Sequence, residues 1–252
     1  ARASADEEAV VFAEIDLAEA DHKLRADGTH LFALRRPELY RSIASRPRAL
    51  ADEDVKDEVA IALYVPPEGE SVADTLQTAA DTIRTLAREG VDLIVLPELF
   101  YLPSGRVEHP AAASELFVEV VRAVAEALAD TPCHVVMSAV EQSHAELFHM
   151  GLVVGPRGVV ARQPQLHVPM RHAWATPGRR VDTIRLPWGR IALAVGEDLC
   201  VPELSRVLAL SGALLIASPF AASEPWELAL GAPARSAENR VLVAVSTRVH
   251  GD

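Results

Sequence analysis

The chain has 252 residues, half of them apolar, and carries a net charge of −12 at neutral pH. This length suits one large domain or two small ones, and the acidic balance argues against nucleic acid and anionic membrane surfaces as partners. No stretch reaches the roughly 18 apolar residues of a membrane-spanning helix, and nothing at the start resembles a signal peptide. Cys133 and Cys200 give no disulfide framework, so a cytoplasmic protein is expected.

The first 58 residues predict a strand, a short helix, a docking segment and a linker. Residues 9–17 (AVVFAEIDL) predict a strand, and residues 18–26 predict a short helix. Residues 31–40, which end in RRPELY, mix polar and apolar side chains in a way that suits docking on a surface. Residues 46–58 are charged and poor in large apolar groups, which indicates a linker.

The rest of the chain alternates strands and helices. A strand at 59–65 precedes a helix that begins after Ser71, a good N-cap, and ends at Gly90. The remaining predicted elements are a strand at 91–96, a helix at 114–129, strands at 133–139 and 148–154, a short strand after the turn at 156–158, a hairpin over 183–195, a helix at 202–211, a strand at 213–217, a helical stretch at 226–239 and a strand at 241–247. This order predicts a layered α/β domain.

The stretch 91–100 (VDLIVLPELF) is the most informative in the chain. Its apolar run is too short for a buried helix and suits a strand that is buried on both faces. Pro97 ends the strand because it has no N–H to give to a ladder, and Glu98 follows at once. Since open α/β sheets place ligand sites at the carboxyl ends of their strands, Glu98 is a candidate general base. The alternative is a glutamate that caps a helix or pairs with an arginine.

Four stretches in the same order resemble the nitrilase (carbon–nitrogen hydrolase) superfamily. Residues 91–100 resemble the strand that ends in the family's general-base Glu, and residues 176–191 resemble the approach to its nucleophile. Residues 198–204 resemble the segment after the nucleophile, and residues 234–239 (ARSAEN) resemble a late family motif. The resemblance covers residues 59–249 and implies an α/β fold, a four-layer α-β-β-α sandwich.

The family's chemistry uses a Cys nucleophile, a Glu base and a Lys, and this sequence keeps one of the three. Glu98 matches the Glu, whereas Gly196 falls on the Cys position and Gln165 falls on the Lys position. No lysine follows Lys56, so a shifted alignment does not restore the missing group. Because glycine has no side chain to attack a nitrile or amide carbon, the resemblance implies a pseudoenzyme that keeps the fold without the reaction.

Five further residues are candidates for the pocket. They are Glu197, Asp198, His167, Arg171 and Cys200. Cys200 could replace the missing nucleophile if the N-terminus of the following helix activates its thiol; the alternative is a small packing residue. Arg171 could instead pair with Glu98 and fill the pocket. The histidines lack the spacing of a zinc site, and we expect neither a metal nor a cofactor.

The order of these features departs from that of the family. Residues 1–45 resemble the tail with which the family's domain ends, residues 46–58 form the linker, and residues 59–252 resemble the body of the domain. Two accounts fit this order. Either the domain is circularly permuted, or the chain is cut from a longer protein with two nitrilase-like units in tandem. In both accounts we expect residues 9–17 to add a strand to a sheet or to a partner.

Three functions are compatible with these residues. The leading hypothesis is a catalytically degenerate domain that is a structural or regulatory partner of an active unit, as a homo-oligomer or paired with another nitrilase-like domain. The second is an amidase-type hydrolase that uses Glu98 and a non-standard nucleophile on a small amide or nitrile. The third is a small-molecule sensor, which needs an open cavity lined by Glu98, Gln165 and Glu197.

Overall fold

The computed structural model describes residue 3 and residues 6–45 and 56–248. In these ranges the chain forms nine strands and five α-helices. The strands are β1 (Ile61–Leu63), β2 (Leu93–Val95), β3 (His134–Ser143), β4 (Glu146–Gly155), β5 (Gly158–Pro164), β6 (Thr183–Leu186), β7 (Gly189–Leu193), β8 (Leu215–Ala221) and β9 (Leu242–Arg248). The helices are α1 (Val72–Arg88), α2 (Pro110–Glu115), α3 (Phe117–Ala127), α4 (Pro202–Leu210) and α5 (Ala232–Asn239).

The strands form two sheets that pack face to face. The first sheet has the order β1-β2-β3-β4-β5, and the second has the order β6-β7-β8-β9. One apolar cluster joins α1 and α3 to the first sheet, another joins α4 to the second sheet, and a third joins the two inner faces. The predicted four-layer α-β-β-α sandwich is therefore confirmed. None of the described helices combines the length and apolar character that a membrane crossing needs.

The helices of the first outer layer follow from local sequence signals. The Ser71 hydroxyl accepts the N–H of Asp74 at 3.2 Å and caps α1, whose buried residues recur at helical spacing. The helix predicted over 114–129 is two helices in the structure. The first begins at Pro110, which suits an initial helical turn, and the break between them falls at Leu116.

The N-terminal segment differs from its prediction. Residues 9–16 form no strand and are exposed, and the helix predicted over 18–26 is a single 3-10 segment, Leu17–Asp21. The prediction of a strand was wrong for the single chain because no neighbouring strand pairs with it. Residues 31–40 do dock on the body, where Leu34 and Tyr40 join the cluster under α4.

Most of the predicted linker lies outside the described residues, which resume at Lys56. The backbone N–H of Lys56 donates to the Trp188 carbonyl at 3.3 Å, and its ammonium lies 2.8 Å from the Asp92 carboxylate. Residue 56 therefore already packs on the body, before the predicted linker end at residue 58.

Candidate active site

The candidate site lies where two facing strands end. Glu98 follows β2 and Gly196 follows β7, so the two sheets bring them together. The Glu98 N–H donates to the Phe220 carbonyl at 3.1 Å, and the next N–H, of Leu99, donates to the Ser138 hydroxyl at 3.0 Å. These bonds fix the turn after Pro97 and hold the Glu98 side chain at 1% exposure. The sequence prediction that Glu98 ends a buried strand is confirmed.

The guanidinium of Arg171 lies between two buried carboxylates. On one side Nη1 donates to Glu98 Oε1, and Nη2 lies 3.2 Å from Glu98 Oε2. On the other side Nη2 and Nε donate to Glu197 Oε1 at 2.7 and 2.9 Å. Burial alone would lower the pKa of Arg171, but Glu98 and Glu197 raise it, so the guanidinium stays charged. The ion pair that the sequence analysis offered as an alternative role for Arg171 is present.

A side chain at Gly196 would have to displace the tips of two neighbouring side chains. Its φ is +54°, which favours glycine, and a Cβ built there would lie 2.5 Å from Glu98 Oε2 and 2.8 Å from Gln165 Nε2. Both distances are shorter than those that real Cβ atoms show. The Glu98 carboxylate and the Gln165 amide therefore occupy the space that a side chain at position 196 would enter.

Gln165 orients two buried histidines. Its Nε2 donates to Glu197 Oε2 at 3.3 Å, so its Oε1 faces the rings and accepts from His149 Nδ1 at 2.9 Å and His172 Nδ1 at 3.0 Å. His149 Nε2 then accepts the Ser138 hydroxyl at 3.0 Å. Burial lowers the pKa of both rings, for His172 well below its usual range, which agrees with neutral imidazoles that each donate through Nδ1.

Asp198 and His167 form a buried hydrogen-bonded pair that connects the segments around the site. The Asp198 carboxylate accepts the N–H groups of Leu166, His167 and Val195, as well as the His167 ring Nδ1 at 2.8 Å. The other ring nitrogen of His167 lies 2.5 Å from the Tyr40 hydroxyl. These contacts join the loop of Gln165, the turn of Gly196 and the N-terminal segment. Both side chains are fully buried, so they position the site and do not face a ligand.

Arg25 is the part of the site that the sequence analysis missed. It comes from the N-terminal segment, is 5% exposed, pairs with Glu227 and lies 3.8 Å from Glu197 Oε1. No motif marks either Arg25 or Glu227, because their pairing joins positions 202 residues apart. Burial raises the pKa of Glu197 to about 7; Arg171 opposes this rise, and Glu98 adds to it.

We expect Glu197→Gln to change how stability depends on pH. Because the pKa of Glu197 in the folded chain is about 7 against an ordinary 4.5, the folded state keeps a proton that the unfolded chain has lost. The free energy of unfolding therefore falls as pH rises between these values. Its slope against pH approaches the value that corresponds to the release of about one proton on unfolding. Urea titrations at several pH values should show this slope in the wild type and lose it in Glu197→Gln. Glu126→Gln, at a side chain 70% exposed, should keep it. An equal slope in wild type and Glu197→Gln would contradict the assignment.

Cys200 is not poised for attack. Burial raises the pKa of its thiol to about 12, although the Arg25 guanidinium opposes this rise. Of the two alternatives that the sequence left open for Cys200, burial favours the packing residue over the activated thiol. Burial likewise raises the pKa of Cys133 to about 12.

A cavity of about 630 Å³ opens beside Arg171. Its walls include Asp27, Arg106 and His172. The three residues that a sensor pocket would need, Glu98, Gln165 and Glu197, are at most 1% exposed and do not line it. Arg171, whose side chain is 24% exposed, closes the floor of this cavity over them.

Glu98, His149 and His172 could in principle hold a metal ion, because each offers a ligand atom within 4.8 Å of the others. Their sequence spacing did not point to this cluster, since the fold brings them together from three separate segments. The Arg171 guanidinium already places a positive charge beside Glu98, and it also approaches His172 Nε2 at 3.3 Å. The expectation of neither a metal nor a cofactor stays a prediction.

Two facing sheets between helical layers, with a buried glutamate after one central strand and a sharp turn after the facing strand, define an α-β-β-α sandwich whose candidate site lies between the two sheets. The sequence profile described as carbon-nitrogen hydrolase matches residues 60–252. The chain therefore belongs to the carbon–nitrogen hydrolase family, as the resemblance predicted.

Characterised relatives and solved structures agree with this family. The chain is 24% identical to the omega-amidase NIT2 of Mus musculus over 197 residues, or 71% of each chain. It is 29% identical to a nitrilase of Pyrococcus abyssi over 179 residues, which cover 68% of this chain and 67% of the relative. Nit3 of Saccharomyces cerevisiae, described as a member of branch 10 of the nitrilase superfamily, superposes with a TM-score of 0.67 at 19% identity over 80% of both chains. That structure shares the fold.

Proposed function

We propose that this chain is a catalytically degenerate carbon–nitrogen hydrolase domain that acts as a structural or regulatory partner of an active unit. The proposal is supported by the family resemblance, which aligns Gly196 with the nucleophile, and by the observation that Glu98 Oε2 and Gln165 Nε2 lie within 2.8 Å of where a Cβ at position 196 would be. Without a nucleophilic side chain there, no covalent intermediate can form at this position.

The surroundings of Gly196 support the same function. Both oxygens of Glu98 are bound by Arg171, so this carboxylate is not free to take a proton from a nucleophile or a water. The neutral amide of Gln165 supplies no charge at the family's Lys position. The positive charge lies instead on Arg171, where it neutralises Glu98 and Glu197 and stabilises no reaction intermediate.

A second candidate function is amidase-type hydrolysis through Glu98 and a non-standard nucleophile. It is supported by the relatives, which include the omega-amidase NIT2 and an (R)-stereoselective amidase of Pseudomonas that is 25% identical over 182 residues. Cys200 is a poor nucleophile in this environment, so this function would depend on an activated water or on a rearranged Arg171.

Ammonia release separates the two candidates. We expect no release above background from the purified chain across a panel of small amides and nitriles, with an omega-amidase as positive control. Release that Glu98→Gln abolishes and Glu126→Gln preserves would establish a hydrolase and overturn the degenerate assignment. The next variant would then be Cys200→Ala, which distinguishes the thiol from water as the nucleophile.

We place the partner unit and the chain in the cytoplasm. Both cysteines are unpaired in the described part of the chain, which suits a reducing compartment. The pairing itself, as a homo-oligomer or with an active nitrilase-like domain, is part of this proposal.

A further inference from the structure

The inner face of the first sheet is left uncovered at one edge. Ile61 and Leu63 of β1 pair with Leu93 and Val95 of β2, so their side chains point to the same face. Leu93 and Val95 are completely buried between the sheets, whereas Ile61 and Leu63 are 36% and 56% exposed. Val65, two residues further on, is 45% exposed. An apolar stripe thus runs along β1 in solvent.

The stripe is exposed because the second sheet ends one strand short of it. β9 is the edge of that sheet, and its Ser246 hydroxyl contacts the Tyr64 carbonyl just beyond β1 at 3.2 Å. No strand of the described chain lies beyond β9, so β9 keeps one row of unpaired backbone groups. We call the free edge of β9 together with Ile61, Leu63 and Val65 the open notch.

Residues 9–17 have the properties of the strand that is missing there. They are exposed and lie outside any helix or strand, and the backbone of residues 9–15 makes no hydrogen bond to the backbone of the described chain. In a strand, Val11, Ala13, Ile15 and Leu17 would share one wholly apolar face. Three of these side chains are large, and in the single chain they are 44%, 77% and 82% exposed. A segment of this kind adds to a sheet edge through its backbone and covers an apolar surface with its side chains.

The opposite face of the segment would lie next to α5, whose surface at this edge is also uncovered. Val10 and Phe12 are 77% and 88% exposed in the single chain. On a strand paired with β9 they would point toward the layer of α5, a helix that packs beside β9 and has no buried residue. The apolar part of this face, Val10 and Phe12, would therefore also be covered, while Glu14 and Asp16 form its polar part.

We propose that residues 9–17 of a second copy of this chain pair with β9 and fill the open notch. Each copy carries one notch and one such segment, so the exchange is reciprocal and closes on two chains. In the single chain, by contrast, every described residue from 6 to 22 is exposed, so the segment does not use its own notch. Residues 23–45 remain docked on their own body. The interface is independent of whether the domain hydrolyses anything.

Sedimentation tests the exchange. We expect the molar mass of the wild type from sedimentation equilibrium to be twice that of the double variant Val11→Asp/Ile15→Asp. Two carboxylates buried on the apolar face of the segment would weaken association of the two chains by well over tenfold. Val118→Asp, at a valine on α3 that is 74% exposed, should keep the wild-type mass. The same mass for the double aspartate variant and the wild type would overturn the proposal.

Cross-linking identifies which chain fills the notch. Facing sheets lie about 10 Å apart, so a bismaleimide of that length should join Ile15→Cys on one chain to Leu63→Cys on another when the two variants are mixed. Ile15→Cys mixed with Val118→Cys, or with wild type, should give no product of twice the chain mass. A cross-link that forms only within a single chain carrying both cysteines would show that the segment folds back on its own body, and would overturn the exchange.

Discussion

Replacing Arg171 with leucine should lower the free energy of unfolding by about 3–5 kcal/mol, the usual result of removing one partner from a buried ion pair. The substitution leaves Glu98 and Glu197, which are at most 1% exposed, without the guanidinium that lies between them. Urea unfolding at pH 8 measures the loss. Arg180→Leu is the matched control, since this side chain is 83% exposed in its pair with Asp182 and should change stability by less than about 0.5 kcal/mol.

The loss should shrink as pH falls. The carboxyl of Glu197, whose pKa burial raises to about 7, takes up a proton and no longer needs a counter-charge. Arg171→Lys provides a second measurement if the leucine variant does not fold, because lysine keeps the charge but loses the planar fork that binds two carboxylates at once. An intermediate stability is expected for it. A leucine variant as stable as Arg180→Leu would mean that the guanidinium is not what holds the carboxylates in place.

The family resemblance predicted the architecture because its evidence lies in local patterns. The apolar run before Pro97, the cap at Ser71 and the proline at the start of α4 each determine an element from a few neighbouring residues. Glu98 followed from its place at the end of a strand, whereas Gln165 and Gly196 were singled out only by the family resemblance. The structure places the side chains of Glu98 and Gln165 next to each other beside Gly196.

The rest of the site could not be predicted because it depends on contacts between distant segments. Arg25 reaches Glu197 and Glu227 from a segment whose sequence pattern predicts only a short helix. The sequence left the role of Cys200 open between an activated thiol and a packing residue because it does not display burial, which raises the pKa of this thiol. Residues 9–17 have a strand pattern, but a strand also requires an edge to pair with, and in this structure the segment pairs with none.

Restoring cysteine at position 196 should not restore hydrolysis. In Gly196→Cys we expect no ammonia release and a loss of about 1–3 kcal/mol in the free energy of unfolding, because the new Cβ would overlap Glu98 and Gln165. Gly196→Ala compared with Gly90→Ala isolates the overlap. Both glycines have positive φ, but a Cβ at Gly90 meets nothing within 4 Å. A larger loss at position 196 than at position 90 therefore measures crowding by the two side chains.

The same reasoning predicts which combination of changes regains activity. Gly196→Cys with Gln165→Lys supplies the cysteine and the lysine that complete the family's three groups with Glu98. Arg171 would still bind both oxygens of the Glu98 carboxylate. We expect this double variant to stay inactive. Glu98-dependent ammonia release should appear only when Arg171 is also replaced by a small neutral residue, because groups that act as a unit contribute non-additively. Release from the double variant alone would show that Arg171 does not block the base, and that the loss of cysteine and lysine was sufficient to end the reaction.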